Sequence, residues 1–195
     1  MKQLRNNAVL CKGKYRLEKI LGQGGFGITY KAIMKETVSG SLGNMEGDIP
    51  VAIKEFFVKG VCQRDGDSTT ISVSNAENTN SFEQQREKFK KEARRLRSLS
   101  NPHIVKVYDL FEENGTAYYV MDYVDGENLS ARLKRTNAPL VESEVRNYLN
   151  QILDGLEAIH NEGMFHLDIK PANIMVDSHD VVKLIDFGAS KSRVR

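Results

Sequence analysis

Four short motifs in this chain have the residue types and the order that a phosphoryl-transfer site requires. Residues 22–27 read Gly-Gln-Gly-Gly-Phe-Gly, residues 51–54 read Val-Ala-Ile-Lys, residues 166–173 read His-Leu-Asp-Ile-Lys-Pro-Ala-Asn, and residues 186–188 read Asp-Phe-Gly. Any one of these motifs can arise by chance, but four in this order are a specific signal. The chemistry that they indicate is phosphoryl transfer from ATP in the presence of Mg²⁺.

The glycine-rich motif lies between two strand-like segments. Without side chains at its glycines, backbone N–H groups at the tip of a hairpin can approach phosphate oxygens closely. A plain glycine turn would look the same, so the motif is weak evidence by itself. The dinucleotide-binding fingerprint is excluded, because that motif opens a helix. The candidate phosphate-binding residues are Gly22, Gly24, Gly25 and Gly27.

Lys54 ends an apolar strand, and a lysine on such a solvent-excluded surface needs an anionic partner to stay charged. Glu92 on the following predicted helix is the preferred partner. Glu87 lies on the same helix and is the alternative. Glu92 is favoured because the apolar residues around it place it at the edge of the buried face.

The elements that must position these motifs change in character along the chain. Strand-like segments and one helix, predicted over about 82–99 behind a capping box at Ser81, fill the first part. Residues 35–49 are predicted as an extended connection and residues 60–80 as a polar insertion loop. The second part is helical, with a short helix near 129–134 and a longer one over about 142–161. The buried stripe of the longer helix is predicted to be Val145, Leu149, Ile152, Leu156 and Ile159.

This order of elements favours an α+β fold with two unequal lobes. The predicted division places a five-stranded antiparallel lobe with one main helix at residues 1–124. A partial, helical lobe follows at residues 125–195.

With these motifs in this order, the chain resembles the protein kinase family, and most closely the bacterial serine/threonine kinases of the eukaryotic type. The resemblance runs from about Tyr15 to Gly188. It implies a two-lobed kinase fold that binds ATP and Mg²⁺ and phosphorylates serine or threonine hydroxyls of protein substrates. Lys170 with Pro171 also resembles the serine/threonine branch rather than the tyrosine branch.

The resemblance assigns a role to each candidate residue. Asp168 would accept the proton of the attacking hydroxyl, Lys170 would neutralise the γ-phosphate, and Lys54 with Glu92 would hold the α- and β-phosphates. The implied Mg²⁺ ligands are Asn173 and Asp186. The implied adenine-binding residues are Thr29, Ala52, Met121, Asp122, Val124 and Met175. A packed column of Leu96, Val107, His166 and Phe187 would join the two lobes.

The chain departs from the family pattern at two points. Leu167 stands where many kinases carry an arginine that receives an activation-loop phosphate, so we expect activity that does not depend on such phosphorylation. The sequence also ends seven residues after Gly188. Such a chain would expose apolar surface on its long helix and could self-associate. A catalytically silent ATP-binding module and a small-molecule kinase are the alternatives to a protein kinase.

Composition excludes several other classes of protein. The 28 basic and 26 acidic residues leave a net charge of +2, which gives no reason to expect nucleic acid as a partner. The two cysteines have neither metal-ligand spacing nor a disulfide framework, and no apolar stretch approaches the ~20 residues of a membrane span. A cytoplasmic protein is therefore expected.

Overall fold

The computed structural model of the chain describes residues 3–41, 43–64 and 69–192. Contacts divide the chain into two compact units. The first comprises residues 1–94 and 107–123, and the second comprises residues 95–106 and 124–195. The two-domain division at 124/125 stays a prediction, and the contacts differ from it in grouping residues 95–106 with the second unit.

The first unit is built on an antiparallel sheet. Its elements in chain order are β1 (Val9–Leu10), β2 (Tyr15–Gly24), β3 (Gly27–Gly40), β4 (Gly43–Phe56), β5 (Cys62–Arg64), β6 (Ile71–Val73), α1 (Ala76–Ser98), β7 (Val107–Glu113) and β8 (Thr116–Asp122). The main sheet has the order β1-β2-β3-β4-β8-β7. The sheet thus contains the five predicted strands and a sixth, the short strand β1, which lies at one edge beside β2.

Alternation along β8 gives the sheet a separate aromatic cluster on each face. On the face that carries α1, the Tyr119 ring packs on Phe89 with 4.8 Å between centroids, and Phe89 in turn packs on Phe56. On the opposite face, the Tyr118 ring stacks on Phe111 at 5.3 Å. Both faces of the sheet are therefore buried around the middle of β8.

Two segments that were predicted as loops are strands in the structure. Of residues 35–49, predicted as an extended connection, residues 35–40 and 43–49 belong to the outer parts of β3 and β4, which pair as far as Gly40 and Gly43. Their Gly, Ser and Asn content suggested coil, but continuous cross-strand pairing satisfies the backbone in spite of it. In the predicted insertion loop, β5 and β6 pair as a second hairpin. Residues 65–68 of that loop lie outside the described residues.

Helix α1 begins at Ala76, earlier than the predicted start near residue 82. The predicted capping residue, Ser81, lies inside the helix. Its hydroxyl accepts a hydrogen bond from the Gln85 side chain one turn later, at 3.0 Å. The capping-box pattern was therefore wrong, because serine pairs with a residue four positions on instead of capping the first turn.

The second unit is mainly helical with short strands. Its further elements are β9 (Gly126–Asn128), α2 (Leu129–Thr136), α3 (Glu142–Asn161), β10 (Met164–Phe165), a 3₁₀ turn (Pro171–Asn173), β11 (Ile174–Asp177), β12 (Val182–Leu184) and β13 (Lys191–Ser192). Strands β12, β11 and β9 form one sheet, and β10 pairs with β13. Both helices occur where the sequence predicted them, and Gly163 with a φ of 68° follows the end of α3.

The buried stripe of α3 differs from the predicted one. The buried residues are Tyr148, Ile152, Gly155 and Ile159. Val145 and Leu149 were predicted to be buried but are exposed, because the helix turns a neighbouring row toward β12. The exposed apolar residues around this helix are Val141, Val145, Leu149 and Leu153. None of the described helices has both the length and the apolar character that a membrane crossing requires.

Candidate active site

The glycine-rich motif forms the turn between β2 and β3. Gly27 lies against β4, where a Cβ atom at this position would stand 2.9 Å from the Glu55 carbonyl oxygen. Glycine at 27 therefore allows β3 and β4 to approach closely. In contrast, Cβ atoms added at Gly22, Gly24 or Gly25 would meet no atom within 4 Å. These three positions leave open space above the backbone, which fits a phosphate-binding turn.

Lys54 and Glu92 are brought together within the first unit. The Lys54 Nζ atom lies 3.8 Å from Glu92 Oε1, and both side chains are largely buried. The Tyr119 hydroxyl donates a hydrogen bond of 3.1 Å to the same glutamate oxygen. The alternative partner, Glu87, is exposed and pairs with Lys90. The carboxylate of Glu92 is thus held in place to keep the lysine charged and directed.

The adenine-binding candidates of the first unit lie on neighbouring strands. Ala52 on β4 is buried and stands opposite Met121 on β8. Thr29 on β3 stands opposite Lys54. The Asp122 carboxylate accepts a hydrogen bond from the Tyr108 hydroxyl, and burial with this contact raises the pKa of Tyr108 to about 12. In the first unit, apolar candidates therefore lie beside the lysine that would contact phosphate.

In the second unit, Val124 and Met175 are the remaining adenine-binding candidates. Val124 lies two residues before the start of β9, and its carbonyl accepts a hydrogen bond from the N–H of Gly126 at 3.0 Å. Met175 lies on β11, paired with Asn128 of β9 on one side and with Lys183 of β12 on the other.

His166 organises the loop that carries Asp168. Its Nδ1 atom accepts a hydrogen bond of 3.2 Å from the Asp168 N–H. Its Nε2 atom, the protonated nitrogen in this arrangement, donates to the Ile185 carbonyl at 2.9 Å. The imidazole is 1% exposed and packs on the Phe187 ring at 4.5 Å. It is therefore a packing residue that ties this loop to the Asp-Phe-Gly segment, and the full four-residue column stays a prediction.

Asp168 is surrounded by the residues that its predicted role requires. One carboxylate oxygen, Oδ2, accepts a hydrogen bond from Asn173 Nδ2 at 2.9 Å and lies 3.0 Å from Lys170 Nζ. The same amide nitrogen also donates to the Asp168 carbonyl at 2.9 Å. Asn173 is buried, whereas the Lys170 side chain is about half exposed. A buried amide therefore orients the carboxylate, and a half-exposed ammonium group offsets its charge.

Asn173 and Asp186 suit a small divalent cation by their chemistry. The N–H of Ile185, next to Asp186 in sequence, donates to the Asn173 carbonyl at 3.1 Å, so the two candidate ligands lie on adjoining segments. Because the Asn173 amide nitrogen is occupied by Asp168, its oxygen is the atom left to bind a cation. Among the described residues, no group of three or more His, Cys, Asp or Glu side chains gathers. Two oxygen ligands such as those of Asn173 and Asp186 would suit Mg²⁺, which commonly takes one or two protein oxygens and completes its shell with phosphates and water.

Two residues on the segments that carry Asp168 and the candidate cation ligands adopt backbone conformations that side chains seldom occupy. Leu167 has a φ of 62°, and Asp186 has a φ of 56°. Left-handed conformations at such residues cost about 1 kcal/mol each and are concentrated at functional sites. Asp186 Oδ1 also accepts a hydrogen bond from the Gly188 N–H at 3.3 Å, which holds the carboxylate at the start of its turn.

Sequence reasoning missed several residues that support the site. Tyr119, which orients Glu92, stands in a continuous apolar strand where nothing distinguishes its hydroxyl from a core position. Glu55, directly after Lys54, is fully buried, and Arg64 from the insertion contacts it. An acidic residue within an apolar strand was the one available signal for that buried pair, because burial of a charge requires a partner.

Comparisons with known proteins agree with this geometry. The family model described as the protein kinase domain matches residues 57–195. Mitogen-activated protein kinase kinase kinase 2 of Arabidopsis thaliana is 33% identical over 178 residues, which cover 91% of this chain and 24% of that protein. The probable serine/threonine-protein kinase pknA2 of Bifidobacterium longum is 32% identical over 185 residues, covering 95% of this chain and 21% of that protein. The chain thus spans about a quarter of the length of these relatives.

A solved structure of the apo form of PpkA-294 is also similar. Its TM-score is 0.83 at 27% sequence identity, and the match covers 95% of this chain and 62% of that one. The match includes nearly all of the present chain, which supports the kinase-like α+β fold. Because the family model takes in more than half of its residues, this chain belongs to the protein kinase family.

Proposed function

We propose that the chain carries the ATP- and Mg²⁺-dependent catalytic machinery of a serine/threonine protein kinase, which transfers the γ-phosphoryl group to protein hydroxyls. The observation that carries the proposal is the arrangement at Asp168, whose carboxylate is held by Asn173 and Lys170 on one short loop. Such positioning is the main contribution that a kinase makes, because the transferred group needs orientation and charge neutralisation more than covalent help.

Each residue then has a role that follows from its surroundings. Asp168 orients the acceptor hydroxyl and takes its proton, while Lys170 offsets the negative charge of the transferred group. Asn173 and Asp186 would hold Mg²⁺, which when bound neutralises charge on the phosphates. Lys54, kept charged by Glu92, would bind the α- and β-phosphates beneath the glycine turn.

The base of ATP would be bound by apolar side chains and by backbone groups. The side-chain candidates are Thr29, Ala52, Met121 and Met175. Backbone groups near Asp122 and Val124 would hydrogen-bond to the adenine edge. The buried position of Ala52, next but one to Lys54 on β4, supports this assignment because it places base-binding and phosphate-binding groups on the same strand.

A serine or threonine of a protein is the proposed acceptor. The pairing of Lys170 with Asp168 supports this choice over a small-molecule acceptor, and the names of the relatives cited above point the same way. Leu167 supports activity that needs no activation-loop phosphate, since this exposed apolar side chain offers no charge to receive one. Phosphorylation of Ser190 that changed the rate many-fold would contradict that part of the proposal.

The proposal includes a cytoplasmic location and self-association. Cys11 and Cys62 are both unbridged, which suits a reducing compartment. The exposed apolar row on and beside α3 provides a surface through which copies could associate. Sedimentation of the purified chain over a range of concentrations tests the second point, and a mass that stays monomeric at every concentration would contradict it.

The test of kinase activity is transfer of label from γ-labelled ATP, with Mg²⁺, to the protein itself and to a generic acceptor protein. Asp168→Asn and Lys54→Met are expected to abolish the signal. The matched controls are Asp48→Asn and Lys19→Met, which make the same chemical changes at exposed positions and should leave the signal intact.

The same experiment separates the proposal from its alternative, a silent ATP-binding module. If the folded chain binds ATP but no label is transferred above the level of Asp168→Asn, the module is the better description. If neither binding nor transfer is detected, both functions are excluded for this chain. Transfer that persists in Asp168→Asn would remove that residue from the proposed mechanism.

A further inference from the structure

Residues 57–75, which we call the bracing segment, connect the strand that carries Lys54 to the helix that carries Glu92. Its described residues include the β5–β6 hairpin, which follows β4 and leads directly into α1. Cys62 in this hairpin is buried, and its sulfur accepts a hydrogen bond from the Val58 N–H at 3.4 Å. Within the first unit, the segment therefore joins the two elements of the lysine–glutamate pair and is placed to influence both partners.

A buried ion pair anchors the bracing segment to β4. Arg64 Nη2 contacts Glu55 Oε1, and these side chains are 3% and 0% exposed. Glu55 also accepts hydrogen bonds from the hydroxyls of Tyr30 at 2.9 Å and Tyr118 at 2.7 Å. Because Glu55 is adjacent to Lys54 and side chains alternate along a strand, the anchor lies on the sheet face opposite the lysine.

The bracing segment also holds the glycine-rich turn. The N–H of Phe57 donates to the Phe26 carbonyl at 3.3 Å, and the N–H of Lys59 donates to the Gly25 carbonyl at 3.1 Å. Both carbonyls belong to the tip between β2 and β3. The start of the segment thus ties down the turn that would cover the phosphates.

The far end of the segment is held by the turn between β7 and β8. The N–H of Ile71 donates to the Asn114 carbonyl at 2.8 Å. Gly115 lies so close that a Cβ atom there would stand 2.6 Å from the Ile71 carbonyl oxygen. The described residues of the segment are therefore in contact with the rest of the first unit at both ends, next to β4 and ahead of α1.

We propose that Arg64 is a positioning residue that, through Glu55, keeps β4 and α1 in the arrangement in which the nucleotide-binding lysine meets its glutamate. The buried guanidinium cannot leave Glu55 without exposing an uncompensated charge to the protein interior, so the hairpin stays docked. A docked hairpin fixes both ends of the chain segment that separates Lys54 from α1. The inference rests on the proposed function, because the pair matters to catalysis only if Lys54 binds phosphate.

The first test needs no nucleotide. An amine-reactive ester labels lysines of the nucleotide-free protein, and peptide mass spectrometry compares the labelling rate of Lys54 with that of exposed Lys19. Arg64→Met is expected to raise the Lys54 rate severalfold, toward the value in Glu92→Gln, because a lysine released from its carboxylate is more accessible and loses its proton more readily, which gives the free amine that attacks the ester. The control Arg97→Met, at an exposed position, should leave the rate unchanged.

A rise in Glu92→Gln together with no rise in folded Arg64→Met would overturn the inference. Should Arg64→Met fail to fold, the double variant with Glu55→Gln leaves no buried charge and takes its place, with the same rise expected. Unchanged labelling of Lys54 in that double variant would be equally decisive against the inference. Arg64→Lys retains the charge and is expected to restore part of the protection.

A second readout distinguishes positioning from general destabilisation. Adenosine lacks phosphates and makes no use of Lys54, so Arg64→Met should weaken ATP binding severalfold while leaving adenosine affinity near that of the unmodified chain. Equal losses for both ligands would assign Arg64 a purely structural role. If the unmodified chain binds neither ligand, the proposed function fails, while the labelling comparison still decides whether Arg64 positions Lys54.

Discussion

The buried pair of Glu55 and Arg64 leads to a prediction about stability in which three variants fall in a defined order. Within the described part of the chain, the Nε and Nη1 atoms of Arg64 are buried and make no hydrogen bond, so Glu55 provides its compensation. Glu55, in contrast, retains the hydroxyls of Tyr30 and Tyr118 when the arginine is removed. The two single substitutions should therefore differ in cost.

The magnitudes follow from what each change leaves behind. Removal of one partner of a buried ion pair costs about 3–5 kcal/mol of unfolding free energy. We expect Arg64→Met to lower the unfolding free energy by about 3 kcal/mol, because two hydroxyl groups still donate hydrogen bonds to Glu55. We expect Glu55→Gln to lower it by about 5 kcal/mol, because the Arg64 cation is then left in the interior without its carboxylate. The double variant buries no charge, and we expect it to cost about 1 kcal/mol.

The assay is urea unfolding at neutral pH. Because the chain contains no tryptophan, circular dichroism replaces tryptophan fluorescence as the probe. With a slope of about 2 kcal/mol/M, the midpoint should fall by about 2.5 M for Glu55→Gln, 1.5 M for Arg64→Met and 0.5 M for the double variant. A double variant whose loss equals the sum of the single losses would refute the reasoning, because the two residues would then act independently.

Three further predictions concern pH, the glycine turn and the metal site. Burial and the Glu55 carboxylate raise the pKa of Tyr30 and Tyr118. The contribution of these two tyrosines to stability should therefore be constant below pH ~10 and fall above it by up to ~1.4 kcal/mol per pH unit for each tyrosine, as the unfolded chain loses protons first. Urea midpoints measured on either side of pH 10 check this fall, and Tyr118→Phe should reduce it. Gly27→Ala should cost about 1–3 kcal/mol and weaken ATP binding, whereas Gly24→Ala, in open space, should leave stability unchanged in the same urea assay. Asn173→Ala should raise the Mg²⁺ concentration needed for half-maximal label transfer by about tenfold or more, and an unchanged Mg²⁺ requirement would contradict the assigned ligand.

Local signals in the sequence predicted the helices of the second unit well. The span of α3 matches the prediction because its apolar period and Gly163 mark both its length and its end. The predicted buried face was wrong only in part. Ile152 and Ile159 are buried as predicted, but Tyr148 is buried in place of Leu149, because the two belong to adjacent rows and periodicity cannot say which row meets β12. Tyr148 can be buried because its hydroxyl donates a hydrogen bond to Asp180 and accepts one from Arg132.

Long-range pairing was the part that sequence could not supply. Contact between Glu55 and Arg64 depends on a hairpin that folds back on β4, and no local pattern of residues encodes that approach. In the structure Lys54 lies near Glu92, the preferred partner, and Glu87 pairs with Lys90 instead. The periodicity of the helix was sufficient here, because it distinguishes a residue at the edge of the buried face from one on the exposed face. The catalytic roles of these residues stay predictions until the variants are measured.

The outer part of the β3–β4 hairpin has a consequence for how this chain tolerates change. Residues 43–50 are exposed throughout, while residues 51–53 are buried and pair with β8. Burial of one face fixes the register of strand pairing, so the pairing register is weakly specified in the exposed outer part. It is strongly specified around Lys54, where the neighbouring residues are buried. Insertions near Gly40 and Gly43 should add little loop-closure free energy, about 0.6 kcal/mol for each doubling of loop length. The outer part of the β3–β4 hairpin is therefore a suitable place for a fluorescent tag or an inserted domain. Such an insertion should leave the pairing of Lys54 with β8 unchanged.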